Sequence, residues 1–140
     1  MWRLIGITLP QYKDWEKEKQ IIKNLLQNNE IEYFHIRKPE FTSMQMSLWL
    51  EDLPLAIRKR LSLHDCLEVA KEFQIGGVHL NKRNNYTAPF AFEGRITRSC
   101  HSIEEVGKWK SKCDYVFLSP IYNSISKEGY EAKFSKEEDR

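Results

Sequence analysis

The chain lacks any long apolar run. No stretch of its 140 residues approaches the roughly 20 consecutive apolar residues that span a bilayer. The first residues, MWRLIGITLPQ, also lack the basic start and the small-residue cleavage site of a secretory signal. We therefore expect a cytoplasmic protein with no membrane partner.

An excess of charge of either sign is also missing. The chain has 22 basic and 20 acidic residues and a net charge of +2. Its basic residues gather only in short runs at 58–60 and 108–112. Because nucleic-acid binding needs a concentrated basic surface, we expect no nucleic-acid partner.

Cysteine is scarce. The three cysteines, Cys66, Cys100 and Cys113, are odd in number and form no CxxC pair. Such a pattern indicates reduced thiols in a reducing compartment rather than a disulfide framework.

The chain does contain an alternation of β-rich apolar runs and helical patterns. Ser102, with Glu105 three residues later, reads as a capping box, and Asp65 with Glu68 as a similar helix start. The segment 81–94 is too polar and aperiodic for a helix. We predict strands at residues 2–9, 31–37, 60–64, 76–80, 96–100 and 115–119, and helices at 15–27, at 42–50 (capped by Thr42 or Ser43), from Asp65 and from Ser102.

Strands that alternate with helices predict a parallel sheet covered by helices, in one domain over residues 1–140. Two architectures compete. A (β/α)₈ barrel normally needs about 200 residues or more. On length alone, an open doubly wound sheet is favoured.

Ionisable and hydroxyl side chains gather at the carboxyl ends of the predicted strands, where ligands bind in both architectures. Three readings stay open: a metal site made by several histidines, an anion site built on Arg37 and the loop after the last strand, and ordinary structural or solvated residues. The residues concerned are His35, Arg37, His64, Asp65, His79, Ser99, His101, Ser119, Ser124, Ser126 and Lys127.

Asp65 has two readings of its own. An aspartate at a helix start caps free backbone amides. It could instead bind Mg²⁺, which usually takes one or two carboxylates together with phosphate oxygens of a substrate.

Five segments in the same order resemble motifs of thiamine-phosphate synthase and its thiazole-tautomerase relatives. HIRKPE stands where that family has Gln-x-Arg-Glu-Lys, and HDCLEVA where it has Asn-Asp-x-x-x-x-Ala. The other three segments are GGVHL, SCHSIEEV and DYVFLSPIYNSISK. Each motif alone is weak, whereas five in the correct order are specific.

The resemblance implies a (β/α)₈ TIM-type barrel, here reduced to about six βα units in a single incomplete domain over residues 1–140. This implication overrides the argument from length. It also implies a Mg²⁺-assisted transferase of thiamine biosynthesis. Such an enzyme joins hydroxymethylpyrimidine diphosphate to thiazole phosphate and releases pyrophosphate.

By position in the motifs, Arg37 and Lys127 would neutralise the leaving pyrophosphate and act as catalytic residues. Asp65 and Asn84 would hold Mg²⁺. The residues that would bind substrate are His35, Arg37, His64, Ser99, Ser124, Ser126 and Lys127.

The chain departs from the family pattern at several positions. His35 replaces a glutamine, and Pro39 replaces a phosphate-binding lysine. Lys38 is adjacent, but one residue along an extended segment points its side chain elsewhere. Asn84 replaces a second metal-binding aspartate, and Arg83 or Lys82 could supply charge in its place.

The family's last two strands have no counterpart before Arg140, so the sheet would keep two open edges. Because open edges favour pairing with another chain, we expect a homo-oligomer. Two alternative functions remain. One is a degenerate barrel that binds phosphate or a thiamine intermediate without catalysis. The other is a thiazole tautomerase, which Pro120 disfavours because that enzyme has a histidine there.

Overall fold

A computed structural model describes residues 4–119 of the chain. The chain divides into two compact units, Met1–Ile96 and Thr97–Arg140. The single domain over residues 1–140 therefore stays a prediction.

The first unit contains four parallel strands in chain order. Strand β1 pairs with β2, β2 with β3, and β3 with β4, and each pairing is parallel. The strands are β1 (Ile5–Ile7), β2 (Tyr33–Ile36), β3 (Leu61–Leu63) and β4 (Gly77–Leu80), and the helices are α1 (Trp15–Gln27), α2 (Ser43–Leu50) and α3 (Leu55–Arg58).

In the second unit, strand β5 pairs in parallel with strand β6. The register runs from Thr97 opposite Tyr115 to Cys100 opposite Leu118. The elements are β5 (Arg95–Cys100, which begins in the last residues of the first unit), helix α4 (Ile103–Trp109) and β6 (Tyr115–Leu118). Parallel strands joined through helices confirm the predicted α/β class.

The helix starts follow local capping chemistry. Helix α1 has the predicted bounds, and the Asp14 carboxylate accepts a hydrogen bond from the Lys17 backbone N–H at 3.1 Å. Thr42, rather than Ser43, caps α2 in a reciprocal capping box with Gln45. Ser102 caps α4, which confirms the predicted start of that helix.

The helix predicted from Asp65 is wrong. Only a single 3₁₀ turn forms there, Leu67–Val69, and Asp65 does not cap it. Cys66 adopts a left-handed backbone conformation with φ of 56°, which interrupts a continuous helix. The segment 81–94 contains only the 3₁₀ turn Lys82–Asn84, in agreement with the prediction that no regular helix forms there.

Strands β2 to β4 present two different faces. One face is apolar and packs with the helices: Phe34 lies beside Leu61, and Ile36 beside Leu63. Alternate residues point to the opposite face, where His35 lies in register with Ser62. The apolar face carries the core, whose helix residues include Ile22, Leu26, Trp49, Leu50 and Ile57.

Candidate functional site

Three buried histidines lie together on the face of the sheet opposite the core. His35 and His79 belong to β2 and β4, and His64 directly follows β3. The Nδ1 atom of His35 lies 2.8 Å from Nε2 of His64, which is a hydrogen bond. The rings of His64 and His79 stack, with centroids 4.0 Å apart and planes 16° apart. We call these three residues the histidine cluster.

The environment keeps the histidine cluster neutral at physiological pH. Burial, followed by the neighbouring His79 and Arg95, lowers the pKa of His35 to about 3. Burial and then the charge of Arg83 lower the pKa of His79 to about 4. Burial is also the main reason that the pKa of His64 lies far below its usual value, with smaller contributions from His79, His35, Arg83 and Arg37.

Each histidine of the cluster offers one ring nitrogen, and these three nitrogens lie within 4.8 Å of one another. This separation would allow a metal ion, but the ring orientations do not suit one. Zinc sites are tetrahedral, and each imidazole nitrogen points its lone pair in its own ring plane. The nearly parallel rings of His64 and His79 therefore do not converge on one point. The hydrogen bond between His35 and His64 also favours hydrogen-bonded imidazoles over metal ligands.

Arg37 follows β2 and continues the face of His35. Its backbone N–H donates to the Thr8 hydroxyl at 2.9 Å, and that hydroxyl donates to the Arg37 carbonyl at 3.2 Å. This exchange fixes the backbone at Arg37. The guanidinium is half-buried, and its charge contributes to the lowered pKa of His64. A positive charge therefore lies close to the histidine cluster.

Lys38 points to the opposite face, as expected for the next residue of an extended segment. Its ammonium lies 2.7 Å from the Glu18 carboxylate and donates to the Leu9 carbonyl at 3.0 Å. The indole N–H of Trp49 donates to the same carboxylate at 3.3 Å. Lys38 is therefore part of the core and does not replace the lysine expected at Pro39.

Asp65 accepts three hydrogen bonds. The Nε and Nη2 atoms of Arg83 reach its two carboxylate oxygens at 2.8 and 3.2 Å, and the Lys38 backbone N–H donates to one of them at 2.9 Å. The carboxylate is buried. Asp65 and Arg83 thus form a fork-to-fork ion pair, a geometry that is favourable for arginine and carboxylate groups.

The Asn84 side chain faces the backbone. Its Nδ2 group donates to the carbonyls of His64 and His79 at 3.2 and 2.9 Å, and its Oδ1 atom accepts from the Asn81 N–H at 2.8 Å. With Asp65 paired to Arg83 and the Asn84 oxygen used by the backbone, these two residues do not fit Mg²⁺ as they stand. The predicted magnesium site stays a prediction.

A cavity of about 320 Å³ opens beside these groups. Its lining includes Pro39, Phe41, His64, Asp65 and Arg83. The cavity therefore lies between the carboxyl ends of β2 and β3 and the turn that follows β4. Such strand ends are where ligands of parallel α/β sheets bind.

The other predicted residues lie elsewhere. Ser99 is on β5 in the second unit, opposite Phe117 of β6. His101 follows β5, and its backbone N–H donates to the Glu105 carboxylate at 2.8 Å. The predicted residues Pro120, Ser124, Ser126 and Lys127 lie outside the described residues.

The pairing of Asp65 with Arg83 was not predicted from the sequence, although Arg83 was noted as a possible source of charge. Arg95 was missed entirely. Its guanidinium donates to the carbonyls of Lys59 and Leu61 at 3.0 and 3.1 Å and lies 3.8 Å from the Tyr33 ring centre. The available signal is an arginine at the start of a partly buried strand, because its guanidinium needs hydrogen-bond partners there.

Comparisons with known proteins bear on this arrangement. Residues 4–136 match the family described as thiamine monophosphate synthase. The chain is also similar to the crystal structure of thiamine phosphate pyrophosphorylase from Bacteroides thetaiotaomicron, with 34% sequence identity and a TM-score of 0.75. That match covers 95% of this chain and 68% of the other. No curated protein matches the chain.

The structural match confirms a (β/α)₈ barrel-type fold, of which residues 4–119 supply six strands. Both matches confirm the family resemblance inferred from the five motifs. Within residues 4–119, no helix is long and apolar enough to cross a membrane.

Proposed function

Because the chain belongs to the thiamine monophosphate synthase family, we propose that it joins hydroxymethylpyrimidine diphosphate to thiazole phosphate and releases pyrophosphate. The observation that carries the proposal is the convergence of Arg37, the neutral histidine cluster and the Asp65–Arg83 pair at the strand ends. Phosphorylated small molecules are thus its substrates.

The chemistry requires little from the protein beyond positioning and charge. As the C–O bond to pyrophosphate breaks, positive charge develops on the pyrimidine methylene and negative charge on the leaving group. Arg37, already fixed through its backbone by Thr8, stabilises the leaving group, and Lys127 adds a second charge. The thiazole nitrogen then attacks the methylene, so no protein nucleophile is needed.

The histidine cluster suits the pyrimidine half of the reaction. Neutral imidazoles offer both a donor and an acceptor and add no charge that would oppose the developing methylene cation. Their depressed pKa values keep them neutral across the physiological range. In this proposal His35 and His64 orient the pyrimidine, and Ser99, Ser124 and Ser126 donate to the diphosphate.

The test mixes the protein with both phosphorylated substrates, with and without Mg²⁺, and measures thiamine phosphate and pyrophosphate. Arg37→Gln should lower kcat/KM by about 100-fold, since it removes a charge that acts on the leaving group. Lys71→Gln, which removes one positive charge at an exposed position of the first unit, is the matched control and should retain activity.

Formation of equal amounts of both products supports the proposal. A chain that binds either substrate but forms no product would instead be a non-catalytic binding protein. Equal activity in Arg37→Gln and the unmodified chain would contradict the role of Arg37.

A further inference from the structure

The geometry around Asp65 leaves little room for a divalent cation. Mg²⁺ needs a carboxylate oxygen at about 2.0–2.1 Å within a strict octahedral arrangement. Both oxygens of Asp65 are instead approached by the Arg83 guanidinium at 2.8 and 3.2 Å, and one also accepts from Lys38 N–H. A metal ion could bind there only if Arg83 left.

The turn that carries Arg83 is held in place. Asn81 and Asn84 cap the 3₁₀ turn Lys82–Asn84 reciprocally. The Asn84 amide also donates to the carbonyls of His64 and His79. His64 follows β3, and His79 lies within the neighbouring strand β4. Asn84 therefore acts as a positioning residue that anchors the turn of Arg83 to the ends of β3 and β4.

Arg83 keeps hydrogen-bond donors that Asp65 does not use. A guanidinium has five N–H donors, and the bonds to Asp65 come from Nε and Nη2. The side chain is 37% exposed and lines the 320 Å³ cavity together with His64. A planar, pre-oriented guanidinium at the wall of a cavity is well suited to bind phosphate oxygens.

We propose that Arg83, held by Asp65, takes the place of a divalent cation, so that this chain binds the diphosphate group without Mg²⁺. The inference rests on the proposed function for the identity of the anion. The diphosphate oxygens would accept from the N–H groups of Arg83 that Asp65 does not use.

The experiment titrates the protein with inorganic pyrophosphate by calorimetry, once in EDTA and once in excess Mg²⁺. We expect binding in EDTA with an affinity that Mg²⁺ does not raise. Binding that requires Mg²⁺, or no binding in either buffer, would overturn the inference. This comparison needs no variant and so does not depend on folding of a mutant.

Two variants sharpen the test. Arg83→Gln should weaken metal-free binding by about tenfold or more, because a charge-assisted hydrogen bond is lost, whereas the control Lys71→Gln should not. Unchanged metal-free binding by Arg83→Gln would overturn the proposal.

The outcomes separate this inference from the proposed function. Metal-free pyrophosphate binding without formation of thiamine phosphate would contradict only the proposed function. Formation of thiamine phosphate with strictly Mg²⁺-dependent pyrophosphate binding would contradict only the role of Arg83.

Discussion

The two faces of strands β2 to β4 bury different kinds of side chain. The helix-covered face is mainly apolar, and a buried ion pair, in which Lys38 meets Glu18 at 2.7 Å, lies on the same side. The other face carries the histidine cluster, which is just as buried but polar. Neighbouring residues of the same strand, such as Ile36 and His35, therefore pack into an apolar core on one side and into a polar cluster on the other.

The comparison shows two ways of making buried polar groups tolerable. On the helix-covered face, charges are paired and hydrogen-bonded, since an isolated buried charge is costly. On the histidine face, burial instead keeps the imidazoles neutral, as the low pKa values of His35 and His79 indicate. The buried charges are therefore stable only while their ion-pair partner is present, whereas the buried imidazoles are stable only at a pH that keeps them neutral.

The largest expected effect is therefore an acid-induced loss of stability. The folded pKa values of about 3 for His35 and about 4 for His79 lie below the usual 6.5. The unfolded chain thus binds more protons below pH 6.5, and stability falls as the pH drops from 6.5 toward 4. At pH 5 each histidine should cost roughly 2 kcal/mol relative to pH 7, and His64 acts in the same direction.

Urea denaturation at a series of pH values measures this loss. His101→Gln is the matched control, because it removes a histidine of the second unit and leaves the histidine cluster intact. A free energy of unfolding that stays constant between pH 7 and pH 5 would contradict the account of the histidine face.

The next effect tests the ion pair on the helix-covered face. Glu18→Ala leaves the Lys38 ammonium buried without its carboxylate, so we expect a loss of about 3–5 kcal/mol in the free energy of unfolding. Thermal and urea unfolding measure it. Glu16→Ala, on the same helix but at a largely exposed position, should change little.

A rescue experiment checks the cause. The double variant Glu18→Leu with Lys38→Met replaces the ion pair by apolar groups and should recover much of the lost stability. If the double variant is less stable than Glu18→Ala, the loss does not come from an unpaired lysine.

The smallest effect compares adjacent residues of β3 on the two faces. Leu63→Ala opens a cavity in the core and should lower the free energy of unfolding by about 3 kcal/mol. Ser62→Ala removes only a hydroxyl 3.5 Å from Arg95 and should cost about 1 kcal/mol or less. Urea midpoints measure both variants, and equal losses would show that the faces do not differ as described.

Much of the fold could be predicted because its signals are local. Helix α1 keeps its predicted bounds since its apolar stripe and the Asp14 cap lie within a few residues of one another. The predicted start of α4 at Ser102 is confirmed for the same reason, since Ser102 accepts from the Glu105 backbone N–H three residues later. The opposite directions of Arg37 and Lys38 also follow from the two-residue period of extended chain.

The helix expected from Asp65 failed for a non-local reason. An aspartate at this position does predict a helix N-cap. In the structure, however, its carboxylate binds Arg83, 18 residues later in the chain. A capping hydrogen bond to a nearby backbone N–H competes with the bidentate ion pair to Arg83. Arg83 comes close to Asp65 only because β3 and β4 lie side by side.

The alternation of strands and helices, the family, and the placement of His35, Arg37, His64 and His79 at strand ends are all readable from the sequence. The pairing of those side chains depends on the folded chain. In the folded chain His64 stacks on His79, Lys38 pairs with Glu18 and Asp65 pairs with Arg83. Periodicity sets which face a residue occupies, whereas the partner of a buried charge depends on distances between segments far apart in the chain.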